Sequence, residues 1–164
     1  MTELLIKQKL FSWTDAYDVF DDKGQPKYYV KADFFSIGKT IHIYDKKTGE
    51  ELARIQQNVI ALLREYNIYI ADELCGKVKR KLALLANSFD VTFKDWHIEG
   101  DFFAHHFKGI QNGNEIFTIQ KEYLTWGDTY VLRIKEDADE LSALIVTIAI
   151  DAACHDDQAN AALY

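Results

Sequence analysis

The fold is decided by the stretch Ala138-Asp-Glu-Leu-Ser-Ala-Leu-Ile-Val-Thr-Ile-Ala-Ile-Asp-Ala-Ala153, in which the ten residues from Leu141 to Ile150 carry no charge. A helix that is apolar on nearly every side must be buried in protein or sit in a membrane. Ten uncharged residues are too few to span a bilayer, which takes roughly 20. The stretch therefore predicts a buried helix around which the rest of the chain folds.

Residue preferences within this stretch point in two directions. Alanine at positions 138, 143, 149, 152 and 153 favours helix, whereas the β-branched run Ile145-Val-Thr-Ile-Ala-Ile150 favours a strand. Asp137, Asp139 and Glu140 precede the run, where acids complement the positive end of a helix dipole, and Asp137 is a candidate N-cap. We predict the helix and keep the strand as the competing interpretation.

Size and charge limit the classes of protein that fit. The chain has 164 residues, of which 48% are apolar, so it is long enough for one domain with a sizeable core and too apolar for a disordered chain. The net charge of −7 argues against general nucleic-acid binding, which requires a basic face. It also argues against attraction of the whole molecule to an anionic membrane, although a local basic patch can still attract such a surface.

The N-terminal sequence and the cysteines indicate a cytoplasmic setting. Met1-Thr-Glu-Leu-Leu-Ile-Lys7 lacks the pattern of a signal peptide. Cys75 and Cys154 lie too far apart in sequence for a metal or redox motif. We expect reduced thiols that behave as small buried apolar side chains.

Strand patterns and turn signals fill the chain ahead of the helix. Alternation is clearest in Lys27–Phe35, where Tyr28, Val30, Ala32 and Phe34 share one face. Roughly ten to twelve such runs before one apolar helix predict an antiparallel barrel threaded by that helix, with a sandwich as the alternative. The other predicted strands are Leu4–Trp13, Tyr17–Phe20, Thr40–Asp45, Glu51–Gln57, Tyr66–Ala71, Glu73–Lys81, Phe89–Phe93, Phe102–Phe107, Glu115–Gln120 and Thr129–Ile134.

Turn signals separate these runs. Asn112-Gly-Asn114 and Lys46-Lys-Thr-Gly49 predict hairpin turns. Trp96–Asp101 breaks the alternation, and Gly100 predicts a bend or bulge there. Val59–Arg64 fits either a short helix or an irregular crossover.

Four motifs in fixed order resemble the LURP-one-related family of tubby-like proteins. They are Trp96-x-Ile-Glu-Gly-Asp101, Glu115-Ile-x-x-Ile-Gln-Lys121, Thr129-Tyr-Val-Leu-x-Ile134 and the helix ending Ala149-Ile-Asp151. The match runs from about Leu4 to Asp156, so we expect a single tubby-like domain over residues 1–164. The resemblance implies a mainly β protein, a twelve-stranded and mostly antiparallel barrel enclosing a C-terminal helix.

The resemblance also indicates where to look for function. Tubby domains of the same superfamily bind phosphoinositide headgroups through lysines and arginines on the barrel surface, and phospholipid scramblases share the fold. In this chain the only dense basic run is Lys77, Lys79, Arg80 and Lys81. It is the candidate site for a phosphate or an anionic lipid surface, where each basic residue is worth about 1 kcal/mol. The alternative is an edge strand whose charges discourage aggregation.

Catalytic and metal-binding patterns are sparse. The sequence has no Gly-rich phosphate loop, nucleophile elbow, His-Glu-x-x-His motif or EF-hand loop. His105 and His106 would face opposite sides of a strand, which leaves His97 as the candidate partner for a two-histidine site. The candidates for paired catalytic carboxylates are Asp90, Asp95, Glu99 and Asp101. Solvated acids and histidines are the more ordinary interpretation, so we expect no catalytic residues, no metal and no cofactor.

The sequence thus predicts a non-enzymatic binding or scaffold module of the cytoplasm that acts at the inner membrane face. Its expected partner is an anionic phospholipid or a protein, with no nucleic acid and no transmembrane segment. Two alternatives stay open. One is an enzyme or small-ligand binder with a site at a barrel mouth, and the other is an oligomeric structural protein.

Overall fold

Twelve antiparallel strands form one sheet that curls into a nearly closed barrel around a C-terminal helix. The computed structural model describes residues 1–7, 16–33, 38–81, 89–102, 104–124 and 127–161. After the strands come a 3-10 turn, Asp137–Asp139, and helix α1, Glu140–Ala161. The strands are β1 (Thr2–Lys7), β2 (Ala16–Asp21), β3 (Pro26–Asp33), β4 (Thr40–Asp45), β5 (Glu51–Gln57), β6 (Glu65–Ile70), β7 (Glu73–Arg80), β8 (Phe89–Thr92), β9 (His97–Asp101), β10 (His106–Gln111), β11 (Asn114–Leu124) and β12 (Gly127–Ile134).

The strands follow one another around the wall in the order β8-β7-β6-β5-β4-β3-β2-β1-β12-β11-β10-β9. Every pairing joins neighbours in sequence except that of β1 with β12, which sets Thr2 opposite Ile134 and Lys7 opposite Thr129. The two edges of the sheet, β8 and β9, are themselves consecutive strands, so the wall is nearly closed where they meet. The predicted barrel is therefore confirmed, and the sandwich is wrong.

Helix α1 occupies the barrel interior. Every residue from Ser142 to Cys154 is buried, which covers all sides of more than three helical turns. The helix prediction is confirmed, and the strand interpretation of Ile145–Ile150 is wrong. The wall meets the helix with fully buried apolar side chains, among them Leu4, Ile6, Ile43, Ile55, Ile68 and Leu132.

The two ends of the barrel differ in their connections. One end, the turn end, carries the connections 22–25, 46–50, 71–72, 93–96 and 112–113. The other, the loop end, carries 58–64, which is the longest strand-to-strand connection that the structure describes in full, and the turn around residues 102–105. Asn112 and Gly113 have φ of 50° and 78°, so the predicted hairpin at the turn end is confirmed.

A charged residue marks each limit of the enclosed helical segment. At the turn end, the buried Glu140 carboxylate lies 2.6 Å from the Lys27 ammonium and accepts a 2.5 Å hydrogen bond from the Tyr28 hydroxyl. At the loop end, the buried Asp151 carboxylate lies 3.4 Å from Nε2 of His105. The contacts of Glu140 and Asp151 hold the helix at both rims of the wall.

Burial, with a smaller contribution from Asp151, raises the pKa of the Tyr17 hydroxyl.

Burial also acts on His105 itself. Its imidazole is largely enclosed at the rim, and this burial lowers the pKa of His105 to about 4, helped by Lys121 and opposed by the Asp101 carboxylate. The imidazole is therefore neutral in the folded protein at neutral pH.

The predicted strand Phe102–Phe107 is right only for His106 and Phe107, which begin β10; Phe102, Ala104 and His105 form no strand, and residue 103 lies outside the described residues. The Asp101 carboxylate accepts a 2.9 Å hydrogen bond from the Ala104 N–H, and His105 has φ of 52°, so the chain turns here. The strands lie on either side of this turn, in β9 and β10. Gly100 forms no bulge, because the β9–β10 ladder is regular through it; a Cβ there would lie 2.5 Å from the His106 carbonyl oxygen.

Other predictions meet mixed outcomes. Tyr28 and Val30 are buried as the alternation predicts, whereas Phe34 lies outside the described residues, as do residues 8–13 of the first predicted strand. Cys154 is buried, but Cys75 is exposed, so the prediction of two buried thiols is wrong for Cys75. Asp137 lies ahead of α1 in the 3-10 turn and accepts a hydrogen bond from the Thr2 hydroxyl, so it is not the N-cap of α1.

We expect Leu144→Ala to lower the free energy of unfolding by about 3–5 kcal/mol, because it leaves a cavity beside a fully buried helix. The matched control is Leu74→Ala, since Leu74 is 59% exposed, and its change should stay within about 0.5 kcal/mol. Urea unfolding of both variants measures the two values. Equal effects would contradict the enclosed position of α1.

Acidification from pH 6.5 towards 4 should destabilise the protein. In this range the unfolded chain takes up a proton at His105 that the folded chain does not, because the folded pKa is near 4 and the unfolded value near 6.5. We expect a loss on the order of 1–2 kcal/mol between pH 7 and 4.5, after allowance for partial solvent screening. The pH dependence of urea unfolding measures it.

The variant for this test is His105→Asn, since asparagine tolerates the positive φ of this position. It should flatten the pH dependence between 6.5 and 4. An unchanged slope would mean that Asp101 and Asp151 keep the imidazole charged in the folded state, and would contradict the prediction.

Candidate functional site

The predicted basic residues lie on β7 and its end, near the loop end of the barrel. Val78 is buried against the interior, so its neighbours Lys77 and Lys79 point outward and are exposed, as is Lys81. Arg80 shares the alternation of Val78 and is half-buried at the rim. The structure thus brings three exposed lysines together on the outer wall and sets the arginine apart from them.

Carboxylates accompany this lysine row. Lys79 lies opposite Glu65 of β6 and opposite Asp90 of β8. The Lys77 ammonium is 3.7 Å from Glu65, and the Lys81 ammonium is 4.0 Å from Asp90. The Lys81–Asp90 pair is exposed on both sides and therefore weak. The Lys77 ammonium is itself exposed, although its partner Glu65 is buried. Both ammonium groups thus stay accessible to another anion. Because β7 has a strand on each side, the edge-strand interpretation of the basic run is wrong.

Beside this row, the connection between β5 and β6 presents aliphatic side chains to solvent. Within residues 58–64, Val59 is 52% exposed, Ile60 is 92% exposed and Leu62 is 97% exposed. An exposed leucine alone needs no explanation, but three large aliphatic side chains on one short connection do. We name residues 58–64 the aliphatic loop.

The aliphatic loop is held in place by its own polar residue. The Asn58 side chain accepts a hydrogen bond from the Ile60 N–H at 3.2 Å and donates one to the Glu65 carboxylate at 3.0 Å. The Asn58 N–H donates to the Glu65 carbonyl at 2.8 Å. Val59 packs on Gly38, where a Cβ would lie only 2.6 Å from the valine Cγ1. The backbone that carries Ile60 and Leu62 is therefore fixed at its N-terminal side.

The backbone at the base of the aliphatic loop belongs in part to cationic residues. The Arg64 carbonyl accepts a 2.9 Å hydrogen bond from the Arg80 N–H, and the Lys39 carbonyl accepts one from the Gln57 N–H. Lys81 follows Arg80 directly and is exposed. Glu65, which follows the loop in sequence, is buried and bonded to Asn58, and it lies 3.7 Å from the Lys77 ammonium. The loop itself contains no acidic residue.

Sequence reasoning found the lysine row but assigned no role to the aliphatic loop. The segment Val59–Arg64 is neither a helix nor a crossover; it joins two paired antiparallel strands, with Gln57 opposite Tyr66. The available signal was the unbroken apolar run of residues 59–63, because connections usually carry polar turn residues.

The barrel-mouth site with two histidines does not form. His97 is 75% exposed at the turn end, opposite Ile110, whereas His105 lies half-buried at the loop end beside Asp151. The interior between them is filled by α1. In the part of the chain that the structure describes, no three His, Cys, Asp or Glu side chains are grouped to hold a metal.

The candidate carboxylates have local partners rather than a shared one. Glu99 lies 3.1 Å from the Lys108 ammonium, Asp101 closes the turn before β10, and Asp90 accompanies Lys81. Asp95 is exposed within the connection 93–96 and has φ of 55°. Glu99 and Asp101 line one cleft on the outer wall together with Lys108, whereas Asp90 and Asp95 are not part of its lining.

Among the described residues, none of the helical segments combines the length and hydropathy that crossing a bilayer requires. Uncharacterized protein YxjI from Bacillus subtilis (strain 168) is 31% identical over 158 residues, which cover 96% of this chain and 97% of that protein. The X-ray structure of a protein from Arabidopsis thaliana matches with a TM-score of 0.61 at 13% identity, over 95% of this chain and 90% of that one. At this identity the second match shows a shared fold alone.

The family model described as LURP-one-related matches residues 2–151, from the first strand to the rim residue Asp151. The predicted resemblance is confirmed by this match and by the identity to the Bacillus protein. The chain belongs to the LURP-one-related family.

Proposed function

We propose that this protein is a non-enzymatic binding module that docks on an anionic phospholipid surface, at the inner face of the cytoplasmic membrane. The observation that carries the proposal is the exposed lysine row Lys77, Lys79 and Lys81, which leads to a rim where Arg64 and Arg80 also lie. Each lysine or arginine near an anionic membrane contributes about 1 kcal/mol, so a row of this size supports reversible binding.

The net charge of −7 does not oppose this orientation. A six- to eight-residue strand is roughly 20–25 Å long, so acids at the turn end lie far from a membrane at the loop end. The Debye length is about 8 Å at physiological salt, and charges at that distance are screened. The acids of the turn end therefore add little repulsion to docking through the loop end.

The filled interior supports a binding role over catalysis. Small-ligand sites are usually concave and enclosed, and α1 occupies the space where a barrel would hold one. Recognition of a partner then falls to the outer surface of the protein.

The test is vesicle sedimentation with phosphatidylglycerol-containing and pure phosphatidylcholine vesicles. We expect binding to the anionic vesicles only, and weaker binding as salt is raised. Lys79→Gln with Lys81→Gln should reduce partitioning by about fivefold per lysine. The matched control is Lys23→Gln with Lys47→Gln, which removes the same charge from exposed turns at the opposite end.

Equal binding by the two double variants would contradict docking through the lysine row. No sedimentation of the wild-type protein with anionic vesicles would overturn the proposal altogether.

A further inference from the structure

We propose that the aliphatic loop enters the bilayer, so that Ile60 and Leu62 lie at the boundary between headgroups and acyl chains. This inference rests on the proposed function, and it adds how deeply the protein enters the membrane. The lysine row alone would hold the protein against the headgroups, whereas insertion places apolar side chains beyond them.

The exposure of these side chains is the first argument. Ile60 and Leu62 are almost fully in water, although the chain buries comparable side chains throughout its barrel. Apolar side chains gain free energy when they leave water. Insertion into a bilayer would place these two side chains in an apolar environment, which the fold does not provide for them.

The fixed backbone is the second argument. Asn58 ties the loop to Glu65, and Gly38 makes room for Val59, so the tip is presented by a braced stem. A preordered tip loses less conformational freedom on insertion than a disordered one.

The surrounding charge favours a bilayer over a protein partner. A stable protein interface buries about 800 Å² on each side, whereas among the described residues the exposed aliphatic surface at this end comes from three side chains of one loop. The exposed lysines of the neighbouring strand β7, Lys79 and Lys81, match anionic headgroups beside an inserted apolar tip. An aliphatic tip next to exposed lysines is complementary to both layers of a membrane surface.

An environment-sensitive fluorophore on the loop tests insertion directly. The loop probe is Leu62→Cys in a Cys75→Ser background, labelled with a nitrobenzoxadiazole dye. The control probe is the wild-type protein labelled at Cys75, which is exposed near the turn end, while Cys154 is buried. With phosphatidylglycerol vesicles, we expect a blue shift and protection from aqueous quenchers for the loop probe and no change for the Cys75 probe.

Sedimentation of serine variants tests the contribution to binding. Ile60→Ser with Leu62→Ser should weaken partitioning into phosphatidylglycerol vesicles at least about tenfold. Leu74→Ser is the matched control, an exposed leucine near the turn end, and should bind like wild type. Thermal denaturation should show all variants folded, because the replaced side chains are exposed.

The outcomes separate the two proposals. Lysine-dependent sedimentation without a spectral change at position 62 would overturn insertion and leave headgroup docking intact. No vesicle binding at all would overturn both. Concentration-dependent association in light scattering that the Ile60→Ser/Leu62→Ser variant abolishes, without any vesicle effect, would assign the loop to a contact between copies of the chain.

Discussion

The structure depends on enclosing a helix that has no polar face. From Ser142 to Cys154 every side of α1 is buried, so a sheet packed on one side would leave the rest in water. The distance from Glu140 to Asp151 along the helix is about 16 Å, and strands of six to eight residues, tilted in a barrel, span a similar height. The apolar segment is thus as long as the wall that surrounds it, and its two charged limits lie at the rims.

Because α1 fills the barrel, any partner has to bind to the outer surface of the protein. In an empty barrel the mouth and lumen would hold a ligand, but here the half-buried His105 and the buried Asp151 meet at the mouth of the loop end. The loop end carries the aliphatic loop, the rim arginines and the end of the lysine row, which is why both proposals place contact there.

The architecture was predictable because its signals are local. The uncharged run Leu141–Ile150, the alternation of Lys27–Phe35 and the Asn112-Gly113 turn each specify an element without knowledge of the rest. The strand predicted at Phe102–Phe107 failed ahead of His106 because the chain turns there. This turn depends on the hydrogen bond to Asp101 and on the positive φ of His105, and neither produces a recognisable pattern in the sequence.

The candidate site was predictable only in part. The basic residues of β7 stand out by composition, but their separation into an outward row and a half-buried Arg80 follows from the burial of Val78. The exposure of Ile60 and Leu62 depends on Asn58 and on Gly38, a residue distant in sequence. An apolar run is indistinguishable from a core segment until these partners are placed.

The pairing of β1 with β12 has a consequence for biogenesis. A ribosome delivers β1 through β8 first, and these strands can pair in sequence as they emerge. Their apolar inner faces nevertheless stay exposed to water until the last quarter of the polypeptide, which contains β12 and α1, has been synthesised. Incomplete sheets with an exposed apolar face are prone to aggregation, so the time between synthesis of β8 and synthesis of α1 is the stage at which this fold is most vulnerable.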